Sequence, residues 1–275
     1  MTATALPRPR VHPVTFARLV RSEHLKLRTL RSTWWTLALA VAVLPLMAVM
    51  RTTSVAAIAD EADPAYLVGP VYVTSGVMLA QLVLCGLAVV AVTAEYRTGQ
   101  VRSTLTAAPT RLPVLGAQLL VVVVTALVTG VVGVLAAWAA AAPLLGEARM
   151  TVDLTQPEHL RIMAGVPLYL AAVAAFAYGV GAALRSSAAG IASVLGLVFV
   201  VEPAFAYLPS EALQRLGAYL PTAAGSRLLT SDVLGSVVSG SRDTTLGPWA
   251  GYGVLLAWAA LAVGVAAVLL RRRDV

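Results

Sequence analysis

Long apolar runs alternate with short charged stretches along the whole sequence. No charged residue occurs in Ser32–Met50, Pro64–Ala94, Leu112–Gly146, Ile162–Leu184, Ser186–Val201 or Thr244–Leu270. The fifth run resumes beyond Glu202, from Pro203 to Ser210. A membrane crossing takes about 20 apolar residues. The pattern therefore predicts an all-α polytopic membrane protein with six transmembrane helices, at about 33–50, 70–93, 113–142, 163–184, 187–208 and 248–270. The third run exceeds one crossing. Pro113 and Pro143 mark its ends, so one tilted helix is expected there rather than two. Pro45 and Pro203 fall inside predicted spans and predict local kinks.

The segments between the spans have patterns of their own. Residues 16–31 read FARLVRSEHLKLRTLR. At helical spacing Phe16, Leu19, Val20, Leu27 and Leu30 share one face, and Arg18, Arg21 and Arg28 lie elsewhere. This predicts a basic amphipathic helix on the membrane surface, followed by Trp34 and Trp35 at the interface. Glu23 projects onto the apolar face, where it either pairs with Lys26 three residues on or meets a neighbouring element. Between spans 2 and 3, Gly99 and Pro109 bracket a short helix predicted over Gln100–Ala108. The segment 209–247 holds two short helical stretches divided by Pro209 and Pro221, with Ser210 and Ser231 as expected N-caps.

Composition strengthens the membrane reading. Of the 275 residues 59% are hydrophobic and 12% are charged, about half the charge of a soluble domain. The net charge of +7 is unevenly spread. With the amino terminus placed in the cytoplasm, the inner segments hold fourteen of the 20 basic residues and three of the 13 acids. That is a positive-inside distribution, so the basic charge reads as topology and not as a nucleic-acid site. Both termini are then cytoplasmic. The basic leader is too long for a signal peptide. The bias to Arg, with abundant Ala, Gly and Val, suggests a high-GC bacterial genome.

Several chemistries are excluded by motif. Lys26 is the only lysine and is flanked by Leu25 and Leu27, so the chain has no P-loop. Cys85 is the single cysteine, which excludes an intrachain disulfide. His12, His24 and His159 are too far apart for a metal motif, and no catalytic triad or acid–base carboxylate pair is visible. The chain is accordingly not expected to be an enzyme, and no metal or cofactor is expected in it.

The strings RSEHLKLRTLRSTWWTLALA (21–40) and EYRTGQVRSTLTAAPTRLPVLGAQLL (95–120) resemble the permease subunits of type-2 ATP-binding-cassette (ABC) transporters, in particular the six-span actinobacterial branch. VEP at Val201–Pro203 and YLP at Tyr219–Pro221 resemble the same group. The resemblance implies a single permease domain over 1–275. Residues 1–32 would be a cytoplasmic segment with a connecting helix, which carries Arg18, Arg21, Glu23, Lys26 and Arg28. Residues 94–112 would be a coupling loop containing Glu95, Tyr96, Arg97, Gly99 and Arg102. Short external helices would occupy 209–247. The implied partners are two copies of a separate ATPase subunit, which holds ATP and Mg, and a second permease chain, identical or paralogous. The implied activity is export of a hydrophobic or amphiphilic small molecule, peptide or lipid across a bacterial plasma membrane.

Within the spans the polar residues are few. Glu202 is the only acid inside a predicted span. Intramembrane acids are costly and functional by default. Glu202 is placed either in the translocation path or dimer interface, or as an end group paired with a base such as Arg227. Gln81, Thr93, Thr125 and Thr129 are expected to hydrogen-bond between helices, and Gly247 and Gly251 to permit a close helix approach. Two other classes stay open: an ion-gradient transporter, which would need more buried ionisable groups than Glu202, and a non-transporting sensor or immunity partner of an ATPase.

Overall fold

The computed structural model describes residues 15–59, 61, 67–98, 111–231 and 246–272. Those residues form an all-helical bundle without a strand. Six helices are long and apolar enough to cross a membrane, and they fit a multi-pass membrane protein. Span 1 is Arg31–Ala56, span 2 Val77–Thr98, span 3 Arg111–Glu147, span 4 Pro157–Leu184 and span 6 Pro248–Arg272. Span 5 is composite. It joins Ser187–Gly196, a π-helical turn at Leu197–Val201 and a final helix Glu202–Tyr207.

Most helices outrun the apolar runs that predicted them. Span 1 continues through Arg51 to Ala56, because backbone hydrogen bonding does not stop at a charge that reaches water. Span 3 is the extreme case, with 37 residues and a length of about 55 Å at 1.5 Å per residue. Pro143, expected to close it, lies inside the helix, which ends at Glu147. Span 2 is shorter than predicted. Its first part folds as a separate helix, Gly69–Val73, and a turn at Thr74–Gly76 precedes Val77. The turn seats Gly76 against span 1, where a Cβ would fall 2.7 Å from Leu44 Cα.

Span 4 is the central helix, its apolar stretch 72% buried against 22% for those of spans 1 and 6. It packs on spans 2, 3 and 6, and span 3 packs on span 1. Glycines set the closest crossings. A Cβ on Gly130 would lie 2.6 Å from Pro167 Cα, and one on Gly179 would lie 2.7 Å from the backbone of Ala262 and Val263. Small residues at such crossings let van der Waals packing hold helices together where no hydrophobic drive exists between them.

The amino-terminal helix, Phe16–Thr29, packs along span 3 instead of resting only on a membrane surface. Its most buried residue is Glu23, at 5% exposure, while Phe16 and Leu30 of the predicted apolar face are exposed. Glu23 tolerates burial because Lys26 Nζ lies 2.7 Å from its Oε1. Arg18, Arg21 and Arg28 are exposed. The Trp34 indole N–H donates to the Arg28 carbonyl at 2.9 Å, which ties this helix to the start of span 1.

Candidate functional site

Two polar assemblies stand out in the bundle, one at each end. The first lies at the end that carries the amino-terminal helix. Thr93 and Ser187 hydroxyls meet at 2.6 Å, joining span 2 to the first residue of span 5. One turn on, the Arg185 guanidinium sits over the Tyr96 ring, 5.3 Å from its centroid. Arg185 occupies the left-handed region at φ 55°, as the C-cap of span 4. Deeper in the bundle, Tyr178 of span 4 donates to the Gln118 side chain at 3.0 Å and to the Leu115 carbonyl at 3.1 Å. Gln118 in turn donates to the Ala91 carbonyl at 3.1 Å. Within two turns, then, the end of span 2 is tied to spans 3, 4 and 5.

Of the residues assigned to the coupling loop, Glu95, Tyr96 and Arg97 lie in the last turns of the span 2 helix. Tyr96 is the one whose side-chain contact is described. Gly99, Arg102 and the helix expected over Gln100–Ala108 lie outside the described residues.

The second assembly is at the opposite end. A nine-residue helical unit, Pro221–Gly225 followed by a 3-10 turn Ser226–Leu229, is buried along most of its length. Three glycines seat it. A Cβ on Gly251 of span 6 would strike the Ala224 carbonyl oxygen, one on Gly165 of span 4 would lie 3.0 Å from Leu228 and Leu229, and one on Gly225 itself would lie 3.1 Å from Tyr169. Gly247 has nothing within 4 Å of its Cβ position, so only half of the expected glycine pair makes a close approach.

Glu202 belongs to this assembly. Its Oε1 accepts the Thr222 backbone N–H at 2.9 Å, and its Oε2 accepts the Thr222 hydroxyl. The carboxylate therefore caps the first turn of Pro221–Gly225, whose early N–H groups have no partner within the helix. Its partner is Thr222, not Arg227. At the other end of the unit, Arg161 Nη1 donates to the Leu228 carbonyl at 3.0 Å and, more weakly, to the Arg227 carbonyl at 3.4 Å. Burial pulls the Arg227 guanidinium below its ordinary pKa. Beneath the unit, the Tyr169 hydroxyl of span 4 donates to Gln81 Oε1 of span 2 at 2.5 Å.

Gln81 and Thr93 thus make the interhelical bonds expected of them. Thr125 and Thr129 do not, since each hydroxyl donates to the carbonyl four residues back in its own helix. Ser210 precedes the helix Glu211–Gly217 but makes no side-chain cap, and Ser231 is the last described residue before 246. The sequence pattern does not single out Tyr169, Tyr178 or Gln118. The available signal is two tyrosines within one apolar run, where each buried hydroxyl needs an internal partner. Among the described residues no group of three or more His, Cys, Asp or Glu side chains could hold a metal ion. Neither a protein-family model nor a curated protein sequence matches this chain.

Proposed function

We propose that this chain is the membrane-spanning permease subunit of a bacterial type-2 ABC exporter. In this reading both termini face the cytoplasm, and the polar ties of Thr93, Tyr96, Gln118 and Arg185 form the cytoplasmic end. A separate ATPase, in two copies, binds ATP and Mg. A second permease chain completes the pathway, and the cargo is a hydrophobic or amphiphilic molecule.

The observation that carries the reading is the tying of the end of span 2 to spans 3, 4 and 5 at the mouth of the 94–112 loop. A loop that takes a mechanical input from an ATPase needs a rigid connection to several spans. A displacement of the end of span 2 acts on Arg185 through Tyr96 and on Ser187 through Thr93, at the junction of spans 4 and 5, without an intervening flexible linker. The packing of the amino-terminal helix on span 3 gives a second cytoplasmic element the same access.

The test is purification from the native membrane after mild crosslinking. A P-loop ATPase is expected to come with the chain, and its recovery is expected to fall in Glu95→Ala and Arg102→Ala variants. No ATPase, under conditions that keep a known transporter complex together, sinks the reading. A gradient-driven transporter would then be tested through Glu202, the one acid inside a predicted span. A sensor or immunity role would keep the ATPase but show no cargo movement.

A further inference from the structure

We propose that Pro221–Leu229 is a gate over the far end of the bundle, held shut by Glu202 at its front and Arg161 at its back, and opened when Glu202 lets go of Thr222. The proposal takes its direction, an outward-facing gate, from the permease reading above, but the gate itself rests on the geometry of this one chain.

The unit is clasped by opposite charges in the arrangement its own backbone favours. A carboxylate meets the N–H groups of its first turn, and a guanidinium meets the carbonyls of its last. Neither clasp is a permanent joint. Each is made by a side chain from a different span, so movement of span 5 against span 4 pulls on the two ends separately. The unit is also seated on Gly165 and Gly251, which offer no side chains of their own to lock over it; the side-chain contacts across the seat come from Arg227, Leu228 and Leu229 of the unit, and from Leu255 and Tyr169 against Gly225.

The π turn places a weak point next to the front clasp. Glu202 N–H bonds the Leu197 carbonyl five residues back, and Glu202 is the residue on which the turn ends. Such turns hold one residue more than an α-helical turn and can shift register. Pro203 comes next and removes the next N–H from the ladder. A small rotation of span 5 at Leu197–Val201 swings the carboxylate away from Thr222. Directly below lie Tyr169 and Gln81, and one turn below Gln81 is Cys85, 2% exposed. With the unit lifted, these buried polar groups become the floor of an open mouth.

Cys85 is the only cysteine, so the native chain carries its own reporter. The experiment is reaction of Cys85 with a membrane-impermeant methanethiosulfonate reagent, in sealed vesicles of the purified chain, from each face in turn. Wild type is expected to react slowly. Glu202→Ala and Arg161→Ala are each expected to speed the reaction by about tenfold or more, from the face opposite the amino terminus only. Glu202→Gln keeps an acceptor for Thr222 N–H and should fall between. A Cys85→Ser, Ala177→Cys chain reports on the bundle core and should stay unreactive when the same changes are added. Unchanged Cys85 reactivity in the Glu202 and Arg161 variants overturns the gate. Equal gains at Cys85 and at the Ala177 reporter also overturn it, because they mean general loosening. Should Glu202→Ala not fold, Thr222→Val removes the hydroxyl bond of the clasp and leaves the backbone one, and must give a smaller gain from the same face only. No ATPase is needed, so a failed gate and a failed permease reading are separate results.

Discussion

The Arg185 guanidinium lies 5.3 Å from the centroid of the Tyr96 ring, and so joins the corner between spans 4 and 5 to the last turns of span 2. A cation over an aromatic face contributes about 0.5–2 kcal/mol, with the upper figure for desolvated pairs. Tyr96→Phe keeps the ring and is expected to keep the stack on Arg185. Tyr96→Leu and Arg185→Gln each lose the stack. In a double-mutant cycle on thermal unfolding of the purified chain, the pair is expected to show a coupling of about 0.5–2 kcal/mol. Additive losses sink the claim that this stack ties the spans. Should the proposed ATPase be recovered with the chain, Tyr96→Leu is also expected to lower its substrate-stimulated hydrolysis more than its basal hydrolysis.

Two glycines of span 6 give a sharper contrast. A Cβ on Gly251 would strike the Ala224 carbonyl oxygen and sit 3.1 Å from Arg227 Cβ, whereas Gly253 has nothing within 4 Å. The obstacle at Gly251 is backbone, which cannot rotate aside. Gly251→Ala is expected to destabilise the chain by about 1–3 kcal/mol through overpacking. Gly253→Ala is expected to be neutral or to stabilise by up to about 1 kcal/mol, the helix propensity gained. Thermal unfolding of the two variants side by side decides it, and equal midpoints would mean that span 6 is not seated closely on Pro221–Gly225.

The number and order of the spans are legible in the sequence because charge is costly in hydrocarbon and its absence is a strong signal. Their ends are less legible, since Arg51 and Glu147 sit inside helices whose tips reach past the apolar zone. The break before Val77 is marked only by Thr74, Ser75 and Gly76, an uncharged turn triplet that a search for gaps between charges passes over. At the candidate sites, Glu202 announces itself by cost alone. Its partner does not, because Thr222 is 20 residues away and an ordinary threonine gives no sign of an N–H left open at a helix start. Arg185 reads in the sequence only as a topological charge. Its stacking on Tyr96 depends on a left-handed backbone at φ 55°, which nothing in the local sequence demands of an arginine.

The loop between spans 3 and 4 carries a predictable acid response. Asp153 Oδ1 accepts from the Thr155 hydroxyl at 2.7 Å and from the Thr155 backbone N–H at 2.9 Å. These bonds favour the charged form and hold the carboxyl below its ordinary pKa. A lowered folded-state value means the bonds stabilise the loop fully above the unfolded value, about 3.9, and lose that effect as pH falls through the lowered one. The expected result is a difference in thermal stability between wild type and Asp153→Asn that is constant near neutrality and shrinks only below about pH 4. A difference that shrinks at higher pH instead would show that another group controls the loop.

The π turn gives the last prediction, because Glu202 closes it. Glu202 N–H reaches the Leu197 carbonyl, one residue farther back than an α-helix allows. Deleting one residue from the turn makes Leu197 the fourth residue back, so Glu202 keeps the same carbonyl partner in α-helical geometry and its carboxylate keeps its facing. Val200 is the residue to delete, because it is 66% exposed and its side chain is not part of the core. The deletion is expected to leave Glu202 on Thr222 and to remove the register freedom of the turn, so Cys85 should react no faster than in wild type. Adding Glu202→Ala to the deletion is expected to release the clasp and to raise Cys85 reactivity again. If the deletion alone reacts like Glu202→Ala, the turn does more than house an extra residue, and the aim of the carboxylate depends on the π geometry itself.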